Sequence, residues 1–282
     1  MALNDILVQL DCYPDPTPVD AVEWAVDFTA RIGGRASALA VEVRIPAPKN
    51  FAAEQLIGIT DLAREEEAKS RQAAEALLAH FEAKARSAEV FQERLHHVAH
   101  YVDVTDHTVA VARTRDFAIV PVASKLDGQV GVAEALIFGS GRPVIVAQSP
   151  AGPPPSSALD RVVVAWDGSR PAARALADAL PILLRAKEVR ILTVLNEKPA
   201  TVAGSGEQVI RHLKAHGISA VLDEVEADGD RIGKVFERYL AVQAADLLVM
   251  GAFGHSRLRE FILGGATQSM LNTASIPVLL AH

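Results

Sequence analysis

The sequence predicts an α/β fold written twice: two tandem doubly wound domains, each a parallel sheet flanked by helices on both faces. Three observations predict it. Short β-branched apolar runs alternate with alanine-rich amphipathic stretches along a chain of 282 residues, which is the pattern of buried parallel strands joined by crossover helices. The order of these runs repeats. Between the two copies the stretch SPAGPPPSSALD, residues 149–160, breaks every apolar period with Pro and Ser, as a linker does. The expected units are therefore residues 1–148 and 161–282, each long enough to bury its own core.

The first strand, DILVQLD at 5–11, matches RVVVAWD at 161–167, so that Asp11 and Asp167 share a register at an offset of 156. DFAIVPV at 116–122 matches DLLVMGA at 246–252, and RPVIVAQ at 142–148 matches IPVLLAH at 276–282. In SRPAARALADALPILLRA, residues 169–186, Ser169 is the expected N-cap and Pro171 falls in the first turn, where its missing N–H costs nothing. Pro181 either ends or kinks that helix. The second half continues with VRILTVL (189–195), a Gly-Ser loop, GEQVIRHLKAHG (206–217), SAVLDEVEA (219–227) and DRIGKVFERYLAVQAA (230–245). The first half has the same plan enlarged over 46–86, a loop and then a long helix with Leu77, Leu78 and Phe81 on its buried side. Its run Glu65-Glu66-Glu67 reads as a solvated face near the helix start, where negative charge suits the dipole.

Composition excludes several classes. With 28 basic residues spread along a chain of net charge −7, there is no concentrated basic face for nucleic acid. Cys12 is the only cysteine, which rules out an intramolecular disulfide and a cysteine-based zinc site and fits a reducing compartment. The first residues run into a strand with no basic region or cleavage site, and no apolar run reaches 18 residues, so the expectation is a cytoplasmic protein with no membrane partner. His96, His97 and His100 invite a metal reading, but in a strand His96 and His97 point to opposite faces. Surface or interface histidines are the favoured reading, for His107 as well, and no metal ligand is assigned.

The chemistry-bearing stretch is LLVMGAFGHSRLREFILGGATQSML, starting at Leu247. Gly251 closes a strand, and a helix starts just after Gly264-Gly265. In an open parallel sheet this carboxyl edge is where ligands bind. Free backbone N–H groups at a helix start suit phosphate, and glycine lets the main chain approach it closely. Each glycine alone reads better as a turn residue; the whole spacing, Gly-x2-Gly-x9-Gly, points to a ligand. It is neither the dinucleotide fingerprint nor the P-loop. His255 and Arg257 lie inside this loop, with His255 the stronger contact candidate. In EADGD, residues 226–230, Asp228 and Asp230 are expected to serve a turn and the N-cap of the next helix rather than a cation. No nucleophile, base and orienting acid recur in a recognisable spacing, so no catalytic residue is assigned and an enzyme is the least favoured class.

Together, VVVAWDGS, the glycine loop of 251–264 and the closing IPVLLAH resemble the universal stress protein family in its tandem form. The resemblance implies a five-stranded parallel sheet per domain, Rossmann-like and similar to adenine nucleotide alpha hydrolases, and ATP binding without a defined reaction. Carried over, it places Ala165, Trp166 and Asp167 at the adenosine end, Val194 at the adenine through its backbone, Gly251 near the ribose, and Gly254, Gly264, Gly265, Ala266 and Thr267 along the phosphates. Gly265 stands where the family has Ser or Thr, which weakens phosphate binding by about one hydrogen bond, of order 1 kcal/mol. The first half has Pro121 and Ser124 against Gly251 and Gly254, runs 26 residues from Asp116 to Arg142 against 30 from Asp246 to Ile276, and puts Val130 and Gly131 in the places of Gly264 and Gly265. It is expected to keep Asp11 and not to bind ATP in the family's manner.

The leading expectation is a regulatory protein whose ATP, with or without Mg²⁺, alters loop 251–265 and a surface for a protein partner. The two domains would pair through their final strands, with room for a full-length homodimer. A scaffold that binds no nucleotide is the alternative, and a slow ATP hydrolase the third.

Overall fold

The computed structural model describes residues 3–46, 59–122, 127–148, 159–195, 205–252 and 265–282. Its strands are β1 (Ile6–Leu10), β2 (Ala36–Arg44), β3 (Phe91–His100), β4 (Phe117–Val122), β5 (Val144–Gln148), β6 (Arg161–Ala165), β7 (Glu188–Leu195), β8 (Ala220–Glu226), β9 (Leu247–Gly251) and β10 (Val278–Ala281). They form one sheet in the order β3-β2-β1-β4-β5-β10-β9-β6-β7-β8. Every neighbouring pair is parallel except β5 with β10, which run antiparallel. Each half is thus a five-stranded parallel sheet, and the seam joins the two final strands.

The internal repeat holds at the level of register. Ile6 stands opposite Phe117 as Val162 stands opposite Leu247, and Ala118 faces Val144 as Leu248 faces Val278. The helices are α1 (Val19–Ile32), α2 (Ile59–Ser87), α3 (Val104–Ala112), α4 (Asp127–Gly139), α5 (Arg170–Leu183), α6 (Ser205–Ala215), α7 (Ile232–Gln243) and α8 (Gly265–Thr273), with a short 3₁₀ turn at Tyr101–Asp103. One core lies under α1, α2, α5 and α6, and the other under α3, α4, α7 and α8. Strands covered on both faces have no polar side to show. This is why β4 and β9 read as unbroken apolar runs, and why β1 is interrupted only by the buried Gln9.

Helix α2 buries Ala74, Leu77, Leu78, Phe81 and Ala85, a stripe at three- and four-residue spacing. Its start at Ile59 falls within the segment expected to be a loop. Nor is its acidic run only solvated: Glu67 Oε1 accepts from the Ile45 N–H at 2.9 Å, and Ser70 Oγ accepts from the Val43 N–H at 3.0 Å. The helix thereby satisfies backbone donors where β2 ends.

Helix α5 starts as expected, with Ser169 Oγ accepting from the Ala172 N–H at 3.2 Å and Pro171 in the first turn. It runs through Pro181 to Leu183. Pro181 removes a single rung of the ladder; Leu184 N–H then donates to Leu180 C=O at 3.0 Å, and Ile182 and Leu183 are buried. That burial offsets the cost of the missing bond. Helix α7 is a correction. Its N-cap is Arg231, with no side-chain cap. Residues 227–230 form a turn closed by Asp230 N–H to Ala227 C=O at 2.8 Å, with Asp228 at φ 49° and Gly229 at φ 78°. The helix therefore starts beyond the reach assigned to Asp230, whose carboxylate instead meets Arg238 at 3.1 Å.

Candidate functional site

Strand order reverses between β6 and β9, and the carboxyl ends of these two strands frame the edge where a doubly wound sheet binds ligands. Ala165 is the buried last residue of β6. The Trp166 N–H donates to Leu192 C=O at 2.8 Å, extending the β6–β7 ladder by one residue. Continuing that register sets Asp167 beside Val194, which is buried on β7. Asp167 Oδ1 accepts from the Ser169 N–H at 3.0 Å, and Gly168 between them takes φ 74°, a left-handed turn that glycine allows. This hydrogen-bonded turn converts the end of β6 into the start of α5.

Gly251 ends β9 and has a packing reason of its own. A Cβ there would lie 2.5 Å from the Pro171 carbonyl carbon, 2.8 Å from its Cβ and against the backbone nitrogen of Ala172. The first turn of α5 rests directly on this residue. Gly265 is the opposite case: it opens α8, is exposed, and a Cβ added to it meets nothing within 4 Å among the described residues. Ala266 is half-buried and Thr267 is buried in the same first turn. Because α8 leads back into β10, which is parallel to β9, its N-terminus lies on the carboxyl edge. The structure thus brings Ala165, Trp166, Asp167, Val194 and Gly251 together and starts α8 on the same edge. Gly254, His255, Arg257 and Gly264 lie outside the described residues.

Ser205, Thr193 and His282, three residues at this edge, were not singled out from the sequence. Ser205 Oγ accepts from Trp166 Nε1 at 3.2 Å, tying the first residue of α6 to the end of β6. Thr193 is 3% exposed, and its Oγ1 has no hydrogen-bond partner among the described residues; a hydroxyl inside the apolar run VRILTVL was the available signal. His282 Nδ1 lies 3.1 Å from Ala252 C=O, and its ring stacks edge-on against Phe138 of the first half at 5.1 Å. Nothing local in the sequence marked that contact.

In the first half, Asp11 Oδ1 accepts from Gln9 Nε2 at 2.8 Å, and the Asp11 N–H donates to Thr17 Oγ1 at 2.9 Å. Pro121 sits within β4. Helix α4 begins at Asp127, so Val130 and Gly131 lie inside its first turns rather than at its start. Ser124 lies outside the described residues.

The histidines divide between the two faces of β3. His96 Nε2 lies 3.3 Å from Glu42 Oε2 on one face, and His97 Nδ1 lies 2.5 Å from His107 Nε2 on the other. Among the described residues no group of three or more His, Cys, Asp or Glu side chains is placed to hold a metal ion. Burial lowers the His97 pKa below its ordinary 6.5, and the neighbouring His107 and His96 add to this against Glu93. A depressed histidine favours the fold while neutral, so its contribution is present above about pH 6.5 and is lost as pH falls through the folded value. The urea midpoint should therefore drop between pH 7.5 and 5.5 by more in the wild type than in His97→Gln. Parallel profiles would contradict this.

The model of the universal stress protein family matches residues 158–282. A universal stress protein of Synechocystis sp. is 36% identical over 126 residues, which cover 43% of this chain and 42% of that protein. The chain therefore spans about two fifths of that relative's length. A solved universal stress protein from Archaeoglobus fulgidus superposes with a TM-score of 0.69 at 18% identity, covering 98% of this chain and 97% of that one. A functionally unknown protein from Pseudomonas aeruginosa PAO1 superposes at 0.54 and 13% identity, covering 98% and 92%. At these identities the two structures speak to the fold, and both extend over both halves. Among the described residues no helix is long and apolar enough to cross a membrane.

Proposed function

We propose that the C-terminal half, whose residues 158–282 match the universal stress protein family, binds ATP, or another adenine nucleotide, at the carboxyl edge of β6 and β9 as a regulatory ligand. The observation that carries this reading is the open space at Gly265, where nothing among the described residues lies within 4 Å of an added Cβ and the first turn of α8 has room for phosphate oxygens. Asp167 and the backbone of Val194 would take the adenosine end, and Gly251, Ala266 and Thr267 would line the rest. Mg²⁺, if present, accompanies the triphosphate. Hydrolysis ranks last, because no nucleophile, base and orienting acid recur in the sequence in a recognisable spacing.

A second reading has an observation in its favour. Gly251 is demanded by the approach of α5 with no ligand at all, as it would be in an interaction scaffold that had kept only the loop shape.

Calorimetric titration of the whole chain with ATP, ADP and AMP, with and without Mg²⁺, separates the two. ATP binding is expected, and Gly265→Ser should tighten it about fivefold by restoring one hydrogen bond of order 1 kcal/mol while leaving the unfolding midpoint in place. Absence of binding by all three nucleotides in both proteins would sink the proposal.

A further inference from the structure

The carboxyl edge of the N-terminal half differs from its counterpart in what it shows to water. Tyr13, in the turn after β1, meets Tyr101, in the turn after β3, with ring centroids 5.9 Å apart and planes at 86°. Tyr101 is 54% exposed, and Val102 beside it is 81% exposed, the most open of the large apolar side chains among the described residues. Asp15, Asp20, Asp103 and Asp106 stand exposed on the same turns and helix starts. None of the four is in an ion pair among the described residues. In the second half the matching turn is Ala227-Asp228-Gly229-Asp230, without an apolar side chain larger than alanine.

From this juxtaposition we infer that the edge is a docking surface for a basic amphipathic segment of a partner protein. An exposed tyrosine and valine braced by the half-buried Tyr13 from a distant segment are the apolar centre of a contact, and polar residues around them are its rim. Unpaired carboxylates decide the occupant. They repel nucleic acid and anionic lipid and attract Lys or Arg, whose heads meet the aspartates while their aliphatic stems cover Tyr101 and Val102. The surface lies on the half not proposed to hold nucleotide, so the inference is independent of the nucleotide reading.

The test is fluorescence anisotropy of a labelled amphipathic Leu/Lys helical peptide against the whole chain, beside a permuted peptide of the same composition that spreads its leucines around the helix. The amphipathic peptide should bind at least about tenfold tighter than the permuted one. Tyr101→Ser with Val102→Ser should weaken it about thirtyfold, the scale of an interface anchor removed. Asp15→Asn, Asp103→Asn and Asp106→Asn together should weaken it and flatten its salt dependence. These three positions are exposed, so this variant decides the matter alone if the first fails to fold. Equal binding of the two peptides, no binding, or wild-type binding by the folded variants overturns the inference.

Discussion

Gly251→Ala is expected to destabilise the C-terminal half by about 1–3 kcal/mol, the usual cost of forcing an extra carbon into a packed site. Its neighbours there are backbone and a proline ring, Pro171 and Ala172, rather than the end of a flexible side chain. The first turn of α5 cannot simply retreat, because the turn from Asp167 to Ser169 and the Ser169 cap hold it. The displaced element would be the end of β9, whose Ala252 N–H is bonded to Ala281 C=O at 2.8 Å. Urea unfolding followed through Trp166 fluorescence in a Trp24→Phe background measures the loss. Gly168→Ala is the companion measurement: at φ 74° with open space around it, it should cost about 1 kcal/mol through backbone strain alone. If Gly251→Ala unfolds at the wild-type midpoint, α5 does not rest on that residue, and the packing reason for the glycine falls.

Phe81→Ala should cost more, about 3–5 kcal/mol, because a fully buried phenylalanine leaves both lost transfer energy and a cavity. Phe81 is 0% exposed on α2 and lies 6.3 Å, centroid to centroid, from Phe91 at the start of β3. It therefore helps hold the edge strand as well as the helix. Thermal unfolding of the variant should show a clearly lowered first transition, with the C-terminal half unfolding later. A change below about 1 kcal/mol would mean that the enlarged helix is a loosely attached arm.

Leu77, Leu78 and Phe81 were legible in the sequence because helical spacing turns burial into a one-dimensional signal. The tandem repeat was legible for the same kind of reason: an offset of 156 between Asp11 and Asp167 fixes the register of β1 and β6 against β4 and β9 once both strands are buried. Ser169 was readable as a cap because its acceptor acts within three residues. What failed depends on three-dimensional context. Nothing near Pro181 told that burial of Ile182 and Leu183 would carry the helix past it. Asp230 lost its capping role to a turn with two left-handed residues. The packing reason for Gly251 was hidden as well, since the approach of Pro171, eighty residues earlier, leaves no mark in the local sequence. The difference in role between two of the site glycines is likewise invisible as spacing: Gly251 is packed against and Gly265 is open.

The antiparallel seam between β5 and β10 sets a polarity for the whole plate. Equivalent helices of the two halves lie on the same face of the sheet, so the halves are related by a half-turn about an axis normal to it. Their carboxyl edges consequently open on opposite rims. The β1/β4 and β6/β9 crevices are four strand spacings apart, roughly 20 Å. A small ligand on one rim and a protein on the other could be held at once without touching, and any influence between them would have to pass through the seam.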